Sequence, residues 1–253
     1  MLVDTHCHLD FLQFSPDRDL VLARARAAGV LRFINIGATL DSSSASCLLA
    51  REHEDVYASV GVHPHDAESF DWEILEKLKQ LASGKKVVAI GETGLDFYRN
   101  LSSRAKQREA FTQQIKLAQN LGLPLVVHSR QAAAETIEIL KAAGDIRAVI
   151  HCFSGDKNFL EQCLDLGCYI SYTCNITYKK SLDLRAVLKI TPLEKLMLET
   201  DAPYLSPEGF RTQRNEPAQI KLLAQEVSEI LGVNFDKIAQ QTTQNALNFF
   251  KIK

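Results

Sequence analysis

Six of the seven histidines in this 253-residue chain stand at or just beyond the ends of short apolar runs, and two acidic residues share such positions. Alternate side chains of a strand point to the same face. In Leu2-Val-Asp-Thr-His6-Cys-His8, the two imidazoles therefore project together, while Cys7 points away. Such a pair can chelate one metal ion. His63 and His65 follow a third run, Glu92 ends a fourth, His128 a fifth and His151 a sixth, and Asp201 follows an eighth. The exception is His53, which sits in a charged stretch and reads as a solvated helix residue. A lone histidine is usually structural or superficial, but this repeated placement points to a metal centre. Four histidines and two carboxylates exceed the ligands of one tetrahedral ion. They suit a pair of ions about 3.5–4 Å apart, bridged by a carboxylate and by water. Imidazole and carboxylate accept Zn, Mn, Fe, Ni or Co, and Mg with more waters, so the donors do not choose the metal.

The apolar runs are the elements that must position these groups. Eight read as strands, at Leu2–Thr5, Leu31–Ile36, Val56–Val62, Val87–Glu92, Leu125–His128, Ala148–Cys152, Cys168–Tyr172 and Lys195–Glu199. Helical stretches separate them, the alternation of a parallel sheet. Ser15 and Pro16 read as a helix start with Gly29 as its stop. Phe111, Ile115, Ala118 and Leu121 form a stripe at helical spacing closed by Gly122. Pro217 opens a helix that ends at Gly232, and a last helix spans roughly 236–250. No Gly-x-Gly-x-x-Gly turn follows an early strand, which argues against a dinucleotide-binding sheet. Eight βα units in 253 residues predict an α/β fold, a slightly irregular (β/α)8 TIM barrel, as one domain over 1–253 with an extra C-terminal helix. Barrels carry function at the C-terminal ends of their strands, where the histidines and acids fall.

Composition narrows the function classes. A formal net charge of −2 gives no global field to draw the protein onto a polyanion. The N-terminus lacks the features of a signal peptide, and no stretch is apolar enough to span a membrane. The six cysteines form no Cys-x-x-Cys pair and read as free thiols of a cytoplasmic protein.

Asp4-Thr-His6-Cys-His8-Leu-Asp10, Gly61-Val-His63-Pro-His65, Gly91-Glu92-Thr-Gly-Leu-Asp96-Phe-Tyr98, His128-Ser-Arg130, His151-Cys-Phe-Ser-Gly155, Glu199-Thr-Asp201-Ala-Pro-Tyr204 and Arg214-Asn-Glu-Pro217 follow in order. This series resembles the TatD family of metal-dependent deoxyribonucleases. His-x-His alone is common among barrel hydrolases, whereas the Glu92 and Asp201 motifs are specific. The resemblance implies a TIM-barrel phosphodiesterase with two divalent ions (Mg, Mn or Zn). It implies His6, His8, Glu92 and Asp201 at a first metal, and Glu92, His128 and His151 at a second, with Glu92 bridging. Related amidohydrolases often bridge with a modified lysine at the end of the fourth strand. Here Glu92 stands there, and the nearest lysine, Lys86, sits at the start of the strand.

By the same resemblance, Asp201 is a ligand and His63 lies near the substrate phosphate, as a donor or general acid. Asp201 is also read as the base for the attacking water, with ligation alone as the alternative. Arg130 suits a non-bridging phosphate oxygen, or else pairs with Glu135. Asp96 orients a ligand or loop. Glu199 and Asp4 share the faces of Asp201 and His6, while Asp10 bonds the turn after the first strand. Tyr98, Tyr204, Arg211 and Arg214 are expected among the substrate contacts, whereas Lys179 and Lys180 read as solvated. Pro207–Gln213 departs from the glycine-rich basic run usual in the family. The expected activity is 3′-to-5′ removal of nucleotides from single-stranded DNA ends by a monomer. The rivals are a barrel hydrolase of esters, lactones or amides, and a non-catalytic nucleic-acid binder.

Overall fold

A computed structural model describes residues 1–253. Eight parallel strands lie in sequence order: β1 (Leu2–Cys7), β2 (Val30–Ile36), β3 (Val56–Val60), β4 (Val87–Asp96), β5 (Leu125–Arg130), β6 (Ala148–Ile150), β7 (Tyr169–Tyr172) and β8 (Leu196–Leu198). Between and after them come α1 (Arg18–Ala27), α2 (Leu40–Glu52), α3 (Trp72–Ala82), α4 (Arg104–Leu121), α5 (Ala133–Ala143), α6 (Lys157–Asp165), α7 (Leu182–Ile190), α8 (Ile220–Leu231) and the additional α9 (Phe235–Phe250). None is long and apolar enough to cross a membrane.

The sheet closes into a barrel at its C-terminal rim. Asp201 N–H donates to the His6 carbonyl at 2.9 Å, and His8 N–H donates to the Ala202 carbonyl at 2.8 Å. Closure therefore runs through the residues that carry the first donor set. Register shifts in the β1–β2, β3–β4 and β4–β5 pairs make the barrel irregular.

Strand alternation divides the core into two layers. Phe33, Val56, Leu125 and Ile170 pack outward against the helices in one large cluster. Ile34, Ile36, Val88, Val126, Val149 and Met197 form a second, inner cluster together with Phe249 and Phe250 of α9. At the N-terminal end of the barrel, Thr243 of α9 donates to the Met1 carbonyl, and Arg32 reaches the Lys253 carbonyl. The last helix thus plugs the bottom of the barrel with aromatics, leaving the top for polar groups.

Several element boundaries differ from the sequence reading. β4 does not stop at Glu92 but runs on to Asp96, pressed against β5. Gly91 and Gly94 permit this: both have positive φ, and a Cβ at Gly94 would come within 2.0 Å of the His128 carbonyl oxygen. β6 and β8 are shorter than predicted, so His151 and Glu199 lie on the loops beyond them. α1 starts at Arg18, not Pro16, because a 3-10 turn at Leu12–Phe14 buries Phe14 first. Its N-cap position, Asp17, makes no side-chain cap, since its carboxylate is taken by Arg24 and Arg214. His53 does not sit within the solvated helix but ends α2 in an extended conformation, with its ring 20% exposed. The Gly122 and Gly232 stops appear as left-handed caps.

Candidate metal centre

The barrel mouth brings the predicted donors together. His6 Nε2 lies 3.3 Å from His8 Nε2, 3.4 Å from Glu92 Oε2 and 3.6 Å from Asp201 Oδ1. His8 Nε2 lies 3.5 Å from Asp201 Oδ1 and 3.9 Å from Glu92 Oε2. On the other oxygen of the same glutamate, Oε1, His151 Nε2 converges at 2.9 Å and His128 Nδ1 at 3.0 Å, with 3.3 Å between the two rings' nitrogens. A tetrahedral ion with bonds of about 2.1 Å has ligand–ligand edges of about 3.4 Å. Both sets match that spacing, and Glu92 belongs to each through a different oxygen.

The tautomers, assigned from hydrogen bonds on the far side of each ring, decide what this clustering means. His8 Nδ1–H donates to the Ile36 carbonyl at 3.1 Å, His151 Nδ1–H to Glu199 Oε1 at 3.1 Å, and His128 Nε2–H to Asp96 Oδ2 at 3.2 Å. Each neutral ring then has a bare lone pair on its other nitrogen. All three lone pairs face carboxylate oxygens, which also only accept. Acceptors at about 3 Å repel unless a proton or a cation stands between them. His6, His8, Glu92 and His151 are at least 96% buried, so water cannot screen the repulsion. The donors therefore fit metal ions.

The electrostatics carry the same signature. Burial pushes the Glu92 carboxyl upward, but the charges and hydrogen bonds of the surrounding histidines outweigh it and hold it well below the usual range. Burial also pushes His151 down, yet Glu92 and Glu199 reverse this and hold it well above its ordinary value. At Asp201 the bond from His8 and the nearby imidazoles outweigh burial, and the carboxyl is lowered. Asp201 has left-handed backbone (φ 55°), which aspartate tolerates better than most residues and which turns its side chain into the mouth.

A family model described as "TatD related DNase" matches residues 3–251. The chain belongs to the TatD family. A 3′-5′ ssDNA/RNA exonuclease TatD from Cronobacter turicensis is 39% identical, aligned over 98% of this chain and 97% of its own length. A Bacillus subtilis metal-dependent hydrolase, YabD, is 36% identical over the full length of both. The crystal structure of the Escherichia coli TatD homologue YjjV superposes with a TM-score of 0.95 at 34% identity, covering 100% of this chain and 98% of that one. The protein is thus a metal-dependent hydrolase with a TatD-type TIM barrel.

The remaining predicted residues of this TatD-family chain divide into those at the mouth and those elsewhere. A cavity of about 710 Å³ covers the donors, and His63, Asp96, Arg99, Arg130 and Tyr204 line it. His63 Nε2 approaches Glu92 Oε1 at 3.3 Å, and its Nδ1 accepts from His65 N–H. Burial pushes His63 down to about 4, so at neutral pH it is an uncharged N–H donor rather than an imidazolium acid. Asp96 receives bonds from His65, His128 and two backbone N–H groups, consistent with orienting a ligand. Asp4 accepts from Thr200 N–H and hydroxyl, tying β1 to the loop after β8. Asp10 accepts from Asn35. Glu135 pairs with Arg108 and leaves Arg130 free.

Arg214 does not enter the cavity. Its guanidinium pairs with Asp17 and Glu216, each at 2.8 Å, and lies over Phe14. Tyr98 is also outside the lining; its ring carries the Arg130 guanidinium at 4.1 Å. Cys152 is not the last residue of the sixth strand, as the predicted Ala148–Cys152 has it. It sits beyond β6 with φ 46° and lines the cavity. Burial pushes its thiol up to about 12, so it remains protonated and a poor ligand. The sequence reading missed Asn215, which is fully buried and donates to the Thr200 and Tyr204 carbonyls on either side of Asp201. Its only signal was its place in Arg214-Asn-Glu-Pro217.

Proposed function

We propose that the protein removes nucleotides from the 3′ ends of single-stranded DNA, using two divalent ions held by the two donor sets that meet at Glu92. The observation that carries this reading is the pair of lone-pair clusters on opposite oxygens of one buried glutamate, at the floor of a cavity whose wall carries an unpaired arginine. His6, His8, Glu92 and Asp201 would hold one ion; Glu92, His128 and His151 would hold the other. When bound, two such ions acidify a water and neutralise phosphate charge. Zn, Mn and Mg all accept these donors.

The chain's own groups do the rest. Asp201, 15% exposed at the mouth, accepts the proton of the attacking water. His63, as a neutral donor, offers Nε2–H to a phosphate oxygen. Arg130, held flat against Tyr98, presents its guanidinium to a non-bridging oxygen. Water adds to phosphorus, the bond to the 3′-oxygen of the preceding nucleotide breaks, that oxygen takes up the proton that Asp201 removed from the water, and the terminal nucleotide leaves as a 5′-monophosphate. Asp96 and Glu199 hold His128 and His151 in the ligating tautomers. Every donor comes from one chain, so a monomer contains the whole site.

Relatives whose names include both ssDNA and RNA support a nucleic-acid substrate. The test is cleavage of 5′-labelled and 3′-labelled single strands and duplexes. A ladder descending from the 3′ end of single strands is expected. Intact strands together with rapid lactone or ester hydrolysis would overturn the assignment.

A further inference from the structure

We propose that Phe11 and Tyr204 form the stacking site for the base of the 3′-terminal nucleotide, an inference that rests on the strand-end reading above. The two ends of the cavity differ chemically. Phe11, Tyr204 and Leu205 line it beside His8 and Asp201, on the β1–β8 side. Arg99 and Arg130 line it beside Asp96 and His128, on the β4–β5 side. In a ring of eight strands in sequence order, these two sides are diametrically opposed. A strand of nucleic acid has one end without a further phosphate: the 3′-terminal nucleoside carries only a hydroxyl beyond its sugar. That uncharged end matches the aromatic side, and the continuing polyanion leaves past the guanidinium groups. The scissile phosphate then falls between them, over Glu92.

The aromatic side is built as a platform. The Phe11 ring stacks on the His8 imidazole, with centroids 4.6 Å apart and planes 19° from parallel. Tyr204 meets Phe11 edge-on at 6.2 Å and is 51% exposed. Packing of the loop does not account for that ring. The Tyr204 backbone is already held, its N–H donating to the Asp201 carbonyl and its carbonyl accepting from buried Asn215, while no protein group holds its hydroxyl. A large aromatic left exposed on a fixed backbone, next to the reacting centre, offers a face that any base can use.

The test uses three single-stranded oligonucleotides carrying a 5′ fluorophore: one normal, one with an abasic tetrahydrofuran unit at the 3′-terminal position, and one with that unit at the penultimate position. Binding to chelator-treated protein is read by anisotropy, and KM is measured on metal-loaded protein. The terminal abasic unit is expected to weaken binding about tenfold and raise KM similarly, the penultimate one far less. Tyr204→Ala should weaken the normal strand by the same factor and lose the discrimination, while Tyr204→Phe should retain it. The inference is overturned if the terminal abasic strand binds like the normal one, if the loss follows the penultimate base, or if Tyr204→Ala still discriminates. Should Tyr204→Ala fail to fold, the three strands on the wild-type protein decide. Discrimination in binding without any cleavage would refute the strand-end activity and leave the stacking site standing. Cleavage without discrimination would do the reverse.

Discussion

Replacing Glu199 with glutamine probes how the second donor set is kept ready. Glu199 is 1% exposed, and one of its oxygens accepts from both His151 Nδ1–H at 3.1 Å and Cys152 N–H at 2.6 Å. Glutamine preserves the volume and an accepting oxygen but removes the charge behind the ligating ring. Losing such a partner weakens metal affinity by about 10–100-fold, or about 1.4–2.8 kcal/mol. Glu199→Ala should do the same and in addition leave the half-buried Cys152 N–H without an acceptor, lowering fold stability by about 1 kcal/mol further. A chelator competition titration gives the affinity, and denaturant melts of the metal-free protein give the stability. Asp96→Asn is the matched variant behind His128. Wild-type affinity in both Glu199→Gln and Asp96→Asn would refute the claim that these carboxylates set the tautomers of the two rings.

Arg214→Ala should lower the melting temperature by about 2–4 °C, as expected for the loss of about 1 kcal/mol from a partly exposed ion-pair network, and leave KM for single strands unchanged. A raised KM at unchanged stability would return Arg214 to the substrate contacts. Metal affinity should fall as pH falls. The carboxylates around His151 overcome burial and keep its proton on in the metal-free protein to higher pH than usual, so an incoming ion must displace it. The loss should approach tenfold per pH unit for each proton released, read by the same competition titration across pH 6 to about 9. A flat profile would mean that His151 is not a ligand.

The candidate ligands were legible because each stands at or just beyond the end of an apolar run, and strand parity alone places His6 with His8 and apart from Cys7. The barrel followed from the alternation of runs and helices. What stayed hidden depends on distant partners. Arg214 reads as a loop cation free for phosphate until Asp17, 197 residues earlier in the chain, is seen against it. The extension of β4 was masked by Gly91 and Gly94, which look like turn signals but instead let the strand press on β5. His63 was legible as a candidate for the barrel mouth but not as an uncharged one, since its low pKa comes from burial by loops that the sequence does not place. Cys152 falls outside its predicted strand because β6 ends two residues before it.

The most direct test of a two-ion site bridged by Glu92 is a metal titration of chelator-stripped protein, with bound ions counted by elemental analysis as 3′-to-5′ cleavage of a single strand is followed. Two ions per chain are expected, with cleavage rising as the second binds, and Glu92→Gln should lose both stoichiometry and cleavage. Full cleavage in the presence of chelator, or saturation with one ion per chain, would contradict it.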